Sequence, residues 1–312
     1  PAASVMGMMA LMPSCSEDTL VLDMGGTTTD IALLAAGQPV LSPDDLVVNG
    51  RSTLVRALKS VSIGLGGDSQ VTVAPGIQVG PLRKGPALAF GGTDGPTFLD
   101  CLNVLGHANA GDAAASRAGV ESLAAAHGLS AESLSQEVLD CARSRVASAV
   151  RSLLDEVNSR PVYTLAALLE ERAVRPVRAV LVGGPAEAVA PLLGDVLGLP
   201  VETLGDPVLG PVANAIGAAL TRPTASLELF ADTAAGMLLV PSLDIRKSIT
   251  RRYTLEEAKA EACALLREQA AFASASPEID VTEAQLFATL DEYGRGGRDI
   301  RVRCQLRPGV ER

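Results

Sequence analysis

The sequence predicts an α/β chain: a mixed sheet flanked by helices, followed by a small α+β appendage. Three observations predict it. Between Thr19 and about Gly92, short apolar runs are punctuated by glycine pairs, as strands joined by tight turns are. From Thr97 to about Arg172 the apolar residues recur at helical spacing instead. Residues 177–182, 183–185 and 186–197 then read as strand, turn and helix.

Residues 2–12 are small and apolar and read as a helix closed by Pro13. Leu20, Val21 and Leu22 read as a buried strand, Ile31 to Leu34 as the strand returning beside it, and residues 39–48 as the third strand of the same sheet. Between the first two, Gly25 and Gly26 can take positive φ without a Cβ clash, so the backbone can turn sharply and expose its N–H groups. Taken alone, TLVLDMGGTTTD (19–30) is equally an ordinary hairpin with polar surface threonines. VSIGLGGDSQVTV (61–73) sets a second glycine pair, Gly66–Gly67, between two apolar runs. In the helical stretch, boundaries fall at Gly106, Gly111, Gly128 and Pro161. Val146, Val150, Leu153 and Val157 make one helix face, and His127 before Gly128 reads as a helix end.

Residues 201–204 read as a short strand and 210–220 as a helix of small residues, able to pack closely on a neighbouring backbone. The character changes at Arg222–Pro223. The expected organisation is therefore a lobe over 1–222, with a helical insertion at about 97–172, and an α+β domain over 223–312. In the latter, Thr254 and Glu257 form a capping box before a helix carrying Leu255, Ala258, Ala262, Leu265 and Leu266 on one side. RDIRVRCQL (298–306) alternates, with Ile300, Val302, Cys304 and Leu306 inward and Arg301, Arg303 and Gln305 outward, after a tight Gly294–Gly297 turn.

Composition narrows the function. With 26 basic and 36 acidic residues the net charge is −10, which repels nucleic acid and anionic membranes. The arginines between Arg295 and Arg307 read as solvated strand faces. Five scattered cysteines without a CxxC pair fit a reducing cytoplasm. Two histidines, His107 and His127, form neither an HxH nor an HExxH pattern and give no basis for a His-rich metal centre. No apolar run reaches transmembrane length, and the apolar start lacks a basic n-region. The expectation is a cytoplasmic protein without nucleic-acid or membrane partners.

Four motifs stand in order: the small-residue helix PAASVMGMMAL, the strand–turn–strand LVLDMGGTTTDIALL, the turn LVGGPAE and the small-residue helix ANAIGAAL. This order resembles the second lobe of the actin-like ATPase superfamily, with its ribonuclease H-like sheet. DMGGTTTD followed by GLGGDS, IQVGP and LNVLG resembles, more narrowly, the hydantoinase/oxoprolinase family and its hydantoinase A domain, over roughly residues 1–221. The resemblance implies ATP and Mg²⁺ as cofactors, with phosphate binding at Gly25, Gly26, Thr27, Thr28 and Thr29. It implies adenosine packing on Gly183, Gly184 and Pro185.

The residues are suited to this on their own terms. Backbone N–H groups from Gly25 to Thr28 can form an anion nest, and the threonines offer hydroxyls, though hairpin alternation keeps all three from pointing one way. Asp23, at a strand end, is placed to hold Mg²⁺ through water, and Asp30 either does the same or caps the turn. Asn214 bonds either ribose or backbone. Gly66, Gly67, Asp68 and Ser69 either face the substrate or form a structural hairpin.

The activity implied is ATP-dependent opening of a cyclic amide, hydantoin or 5-oxoproline, by phosphorylating its carbonyl oxygen; in some members a hydantoinase B-type subunit completes the site. The alternative is an actin-like ATPase acting as a chaperone or reactivating factor for a partner protein. Two departures stand out. Val61 occupies the place of a histidine in larger members, and Asp68 that of a glycine. The match also begins at the first connecting helix, so a first lobe with its own phosphate loop is expected elsewhere in a longer protein, leaving this portion weak in ATP affinity and without turnover by itself.

Overall fold

A computed structural model describes residues 2–12, 16–48, 51–73, 75–159, 173–206, 208–270, 278–290, 296–307 and 309–310, with backbone only at 43–48 and 52–56. The helix stops read from Pro13 and Pro161, the last part of the helical insertion and Gly294 lie outside these residues. Two compact units are present, Pro1–Leu220 and Thr221–Glu311.

The first unit runs α1 (Ala2–Leu11), β1 (Thr19–Met24), β2 (Thr29–Ala35), β3 (Gln38–Pro39), β4 (Leu41–Val48), β5 (Arg51–Leu58), β6 (Ser60–Ile63), β7 (Val71–Thr72) and β8 (Gln78–Val79). It continues with α2 (Phe98–Val104), α3 (Ala113–Ala125), α4 (Ala131–Asn158), β9 (Arg178–Val182), β10 (Val201–Glu202) and α5 (Leu209–Leu220). Its main sheet has the order β10-β9-β1-β2-β3, with β6 also beside β2. β2 is antiparallel to β1, while β9 and β10 are added parallel on the other side. An antiparallel meander extended by parallel strands is the ribonuclease H-like arrangement.

Both sheet faces are covered, which is why β1, β2 and β9 are apolar almost throughout. Leu20, Leu22, Ile31, Leu33 and Leu181 join one core with Phe98, Leu102, Leu134, Val146 and Leu153 of α2–α4. Val21, Ala32, Leu34, Val180 and Val182 join the opposite core with Val5 and Met8 of α1 and Ala213 of α5. There the two small-residue helices cross at backbone contact. A Cβ on Gly7 would run into the Ala213 carbonyl, and one on Gly217 into the Ala3 carbonyl. In α3 the end read at His127 is a C-cap: Gly128 takes φ +71° and Leu129 N–H donates to Ala124 O at 3.0 Å.

Three expectations change. Residues 39–48 do not form the third strand of the main sheet. Pairing with β2 stops at Pro39, β4 pairs instead with β5 as a separate ribbon, and Lys59 N–H closes the base of this excursion on Val40 O at 2.8 Å. β6 then resumes the edge beside β2. The helix read over 186–197 is broken into a helical turn at Ala186–Val189, a 3₁₀ turn at Ala190–Leu192 and another turn at Gly194–Leu197. Pro191 lies at the break, where it lacks the N–H that a continuous helix needs. Finally, β10 is limited to Val201–Glu202.

The second unit contains β11 (Ser226–Asp232), β12 (Met237–Val240), β13 (Ile245–Ser248), α6 (Leu255–Ala270), β14 (Ile279–Leu290) and β15 (Gly296–Leu306), with the sheet order β13-β12-β11-β15-β14. The Thr254–Glu257 capping box forms, Thr254 N–H reaching Glu257 Oε2 at 2.7 Å and Glu257 N–H reaching Thr254 Oγ1 at 3.2 Å. Ala258, Ala262 and Leu266 of α6 pack on the inward residues of β15, Ile300, Val302, Cys304 and Leu306. On the outer face Arg301 and Arg303 share Glu228, and Arg307 pairs with Asp280. Burial pushes the thiols of Cys101 and Cys304 up to about 12, so both act as packing residues near neutral pH.

Candidate functional site

Parallel pairing decides where the site lies. Asp23 on β1 is in register with Val182 on β9, so the turns that follow these strands, Gly25–Thr28 and Gly183–Gly184, emerge at the same sheet edge. They meet around a cleft of about 170 Å³, lined by Asp23, Gly25, Thr28, Asp30, Gly183 and Gly184 together with the start of α5. A second hollow of about 30 Å³ adjoins it across Gly183, Gly184, Gly210 and Pro211.

The turn at Gly25–Thr28 is closed by Gly25 N–H donating to Thr28 O at 2.9 Å. Contrary to expectation, neither Gly25 nor Gly26 takes positive φ; Gly183 does, at +105°. A Cβ on Gly183 would strike the Met24 carbonyl and lie 3.1 Å from the Asp23 carboxylate, so glycine is required for close approach as well as for conformation. At Gly26 the reason is again space, since a Cβ would lie 2.5 Å from Asp68 Oδ2. Gly25, Gly184 and Gly210 are different. Their φ angles are ordinary, and a Cβ on Gly184 or Gly210 would meet nothing within 4 Å, while one on Gly25 would meet only Thr28 O at 3.7 Å.

Asp23 and Asp30 are directly opposite across the β1–β2 ladder. Both line the cleft. Strand alternation turns Asp23 toward the α1 side of the sheet, where the Ser4 hydroxyl donates to its Oδ2. Among the described residues no group of three or more His, Cys, Asp and Glu side chains is assembled to hold a metal, and His107 and His127 are exposed.

The threonines divide. Thr28 lines the cleft and Thr27 stands in mid-turn, while Thr29 is buried and its hydroxyl donates to Leu65 O at 2.7 Å. Thr29 therefore fastens the loop to the segment behind it and does not present its hydroxyl for phosphate. Pro185 is likewise buried, packed toward Gly67, and is not in the cleft wall. Asn214 lines the cleft with its Oδ1 bonded to Ala215 N–H of its own helix.

The second glycine pair supports the first. Gly67 N–H donates to Gly25 O at 3.0 Å and Asp68 N–H to Gly26 O at 2.7 Å, while Ser69 Oγ accepts from Gly66 N–H at 2.8 Å. Gly66, Gly67 and Ser69 are buried. A Cβ on Gly66 would lie 2.5–2.6 Å from Gly25 O, Gly26 C and Thr27 N. Of the two readings left open for this stretch, the contacts favour the structural hairpin: it is the floor under the loop.

Sequence reading missed Gly210 and Pro211, which reach the cleft through packing of α5, and Ser4 of α1, which is buried behind it and donates to Asp23. It also missed Asp100, a fully buried carboxylate that accepts from the N–H groups of Leu88, Ala89 and Thr97 and the hydroxyls of Thr97 and Ser116. Its local signal, Thr97 three residues before an acid, is a capping-box spacing.

A family model described as hydantoinase/oxoprolinase matches residues 1–226. The chain belongs to the hydantoinase/oxoprolinase family. Among curated protein sequences none matches it. Its fold is similar to the ATP-dependent caprolactamase from Pseudomonas jessenii, at 17% identity and a TM-score of 0.63 over 97% of this chain and 48% of that one. It is also similar to nucleotide-free acetone carboxylase, at 17% identity and a TM-score of 0.55 over 99% of this chain and 49% of that one. The chain thus spans about half the length of these structures. Within the hydantoinase/oxoprolinase frame, the two departures have structural consequences. Val61, on β6, sits opposite Ile31 and packs on the core, and Asp68 brings a carboxylate beside Gly26 of the Gly25–Thr28 loop. Among the described residues no helix is long and apolar enough to cross a membrane.

Proposed function

We propose that this chain forms one wall of an ATP site in an enzyme that opens a cyclic amide of the hydantoin or 5-oxoproline type. The observation that carries the reading is the meeting of the Gly25–Thr28 and Gly183–Gly184 turns at one sheet edge, with Asp23 and Asp30 in cross-strand register beside them. Both carboxylates border the cleft from facing ladder positions, where they could hold a hydrated Mg²⁺ through water. Gly25 N–H is committed to Thr28, so the phosphate cradle would rest on the N–H groups of Gly26 to Thr28. Gly25, Gly184 and Gly210, which the fold itself does not crowd, leave room for a ligand to approach the backbone. ATP, when bound, supplies the phosphoryl group that turns a lactam oxygen into a leaving group. This chain's part is to orient phosphates and metal, and no residue on this wall is assigned as the base.

A cleft of about 170 Å³ is small beside typical ligand pockets of roughly 300–1,000 Å³. That supports a site completed by another surface: the first lobe of the same protein, with a second subunit as a further contributor. Both solved structures named above are described as ATP-dependent, which supports ATP use. The test is Gly184→Ala in the full-length protein. Its melting temperature should be unchanged, and its ATP affinity should fall about tenfold, as when a methyl group intrudes on a packed contact. Unchanged affinity would remove the nucleotide from this turn. Stimulation of ATP hydrolysis by hydantoins or lactams then tests the substrate class.

A further inference from the structure

We propose that Arg83 is an additional phosphate-binding residue, held by Asp68 over the tip of the Gly25–Thr28 loop to meet the terminal phosphoryl group of a nucleotide; this rests on the ATP reading above. Arg83 Nη2 lies 2.8 Å from Asp68 Oδ2, and Nη1 lies 3.5 Å from Thr27 Oγ1. Asp68 is tied to the loop through its own backbone, donating to Gly26 O, and its carboxylate fills the space beside Gly26. Position and orientation are therefore set from below: loop, then Asp68, then guanidinium.

The Arg83 side chain is 46% exposed, and exposed ion pairs contribute little to stability. A guanidinium has donors enough to serve one carboxylate and a second oxyanion together, and its planar fork suits phosphate. The placement also fits the proposed nucleotide. Gly183 lies against Met24 and Asp23 at the base of the loop, whereas Thr27 is at its tip, so Arg83 stands at the end away from the nucleoside turn. The carboxylates of Asp23, Asp30 and Asp68 all surround this loop, and a cation at its tip offsets charge that would otherwise repel a terminal phosphate.

The experiment is calorimetric titration of the full-length protein with ATP, ADP and AMP in magnesium buffer, for wild type, Arg83→Gln, Arg83→Lys and Asp68→Asn. Arg83→Gln should bind ATP at least about tenfold more weakly while leaving AMP unaffected, as the loss of a charge-assisted contact predicts. Arg83→Lys should recover part of the loss. Asp68→Asn should lose less than Arg83→Gln, since the charge stays but is no longer held. Melting temperatures without nucleotide should coincide. Equal ATP affinity for wild type and Arg83→Gln would overturn the proposal and leave the ATP reading standing. An equal loss for AMP would overturn it too, by placing the effect at the nucleoside. A wild-type protein with no affinity for any of the three nucleotides would sink both. If Arg83→Gln does not fold, Arg83→Lys decides: a partial loss confined to ATP would support the fork-shaped contact, and an ATP affinity equal to wild type would overturn it.

Discussion

Asp100 and Asp23 are acids of the same unit in opposite circumstances. Asp100 is fully buried, and both of its oxygens are occupied: Oδ1 by Ala89 N–H and Ser116 Oγ, Oδ2 by Leu88 N–H, Thr97 N–H and Thr97 Oγ1. Asp23 is half-buried at a strand end, accepts the Ser4 hydroxyl, and opens on a cleft opposite a second acid. A carboxylate surrounded by donors from the fold has no lone pairs left to offer. One that borders a cleft keeps lone pairs on the open side, which is what the proposed metal role needs. An acidic side chain within the same unit is common to both; the donors around them separate the structural acid from the one proposed for the site.

The same substitution applied to both positions breaks or sharpens this contrast, and the largest effect belongs to Asp100→Asn. Whichever oxygen is replaced by an amide NH₂, that group abuts a backbone N–H donor inside the core. Unsatisfied buried groups cost about 1–3 kcal/mol each, so a loss of roughly 2–4 kcal/mol is expected in urea unfolding of the full-length protein. A midpoint equal to that of wild type would show that the donors around Asp100 are dispensable.

Gly66→Ala should have an intermediate effect and link the two settings. The new methyl group would press on Gly25, Gly26 and Thr27 backbone, which cannot yield without reshaping the loop. Overpacking of this kind costs about 1–3 kcal/mol. ATP affinity should fall along with the melting temperature, in contrast to Gly184→Ala, where only affinity falls. A stable Gly66→Ala protein with normal ATP affinity would remove the hairpin's role as the loop's floor.

What was legible in the sequence was local. The apolar runs around Gly25–Gly26 and before Gly183 specify strands ending in turns, and the small residues of α1 and α5 specify helices in close contact. What was hidden depends on which distant segment arrives alongside. Thr29 cannot be separated from Thr28 without knowing that Leu65 lies beneath it, nor Pro185 judged buried without Gly67. The 41–48 run reads as a strand, but nothing within it says which sheet that strand joins. Asp100 carried a short-range capping signal, but its Leu88 and Ala89 donors come from an earlier turn that no spacing rule connects to it.

The smallest effect on stability is expected for Asp23→Asn, and it makes the sharpest test. Asparagine keeps the shape of the side chain and an acceptor for the Ser4 hydroxyl, so the contact from α1 to the strand end survives. Unfolding measured without nucleotide or magnesium should therefore show a midpoint equal to wild type. If the carboxylate holds hydrated magnesium, its neutral isostere should lower ATP hydrolysis by the full-length protein at least about a hundredfold, because a metal's stabilisation of transferring phosphoryl oxygens amounts to several kcal/mol. Raising the magnesium concentration should recover part of the rate if Asp30 still holds the ion. A lowered midpoint with normal hydrolysis would make Asp23 an acid of the Asp100 kind, held for the strand end, and would remove the metal from this edge of the sheet.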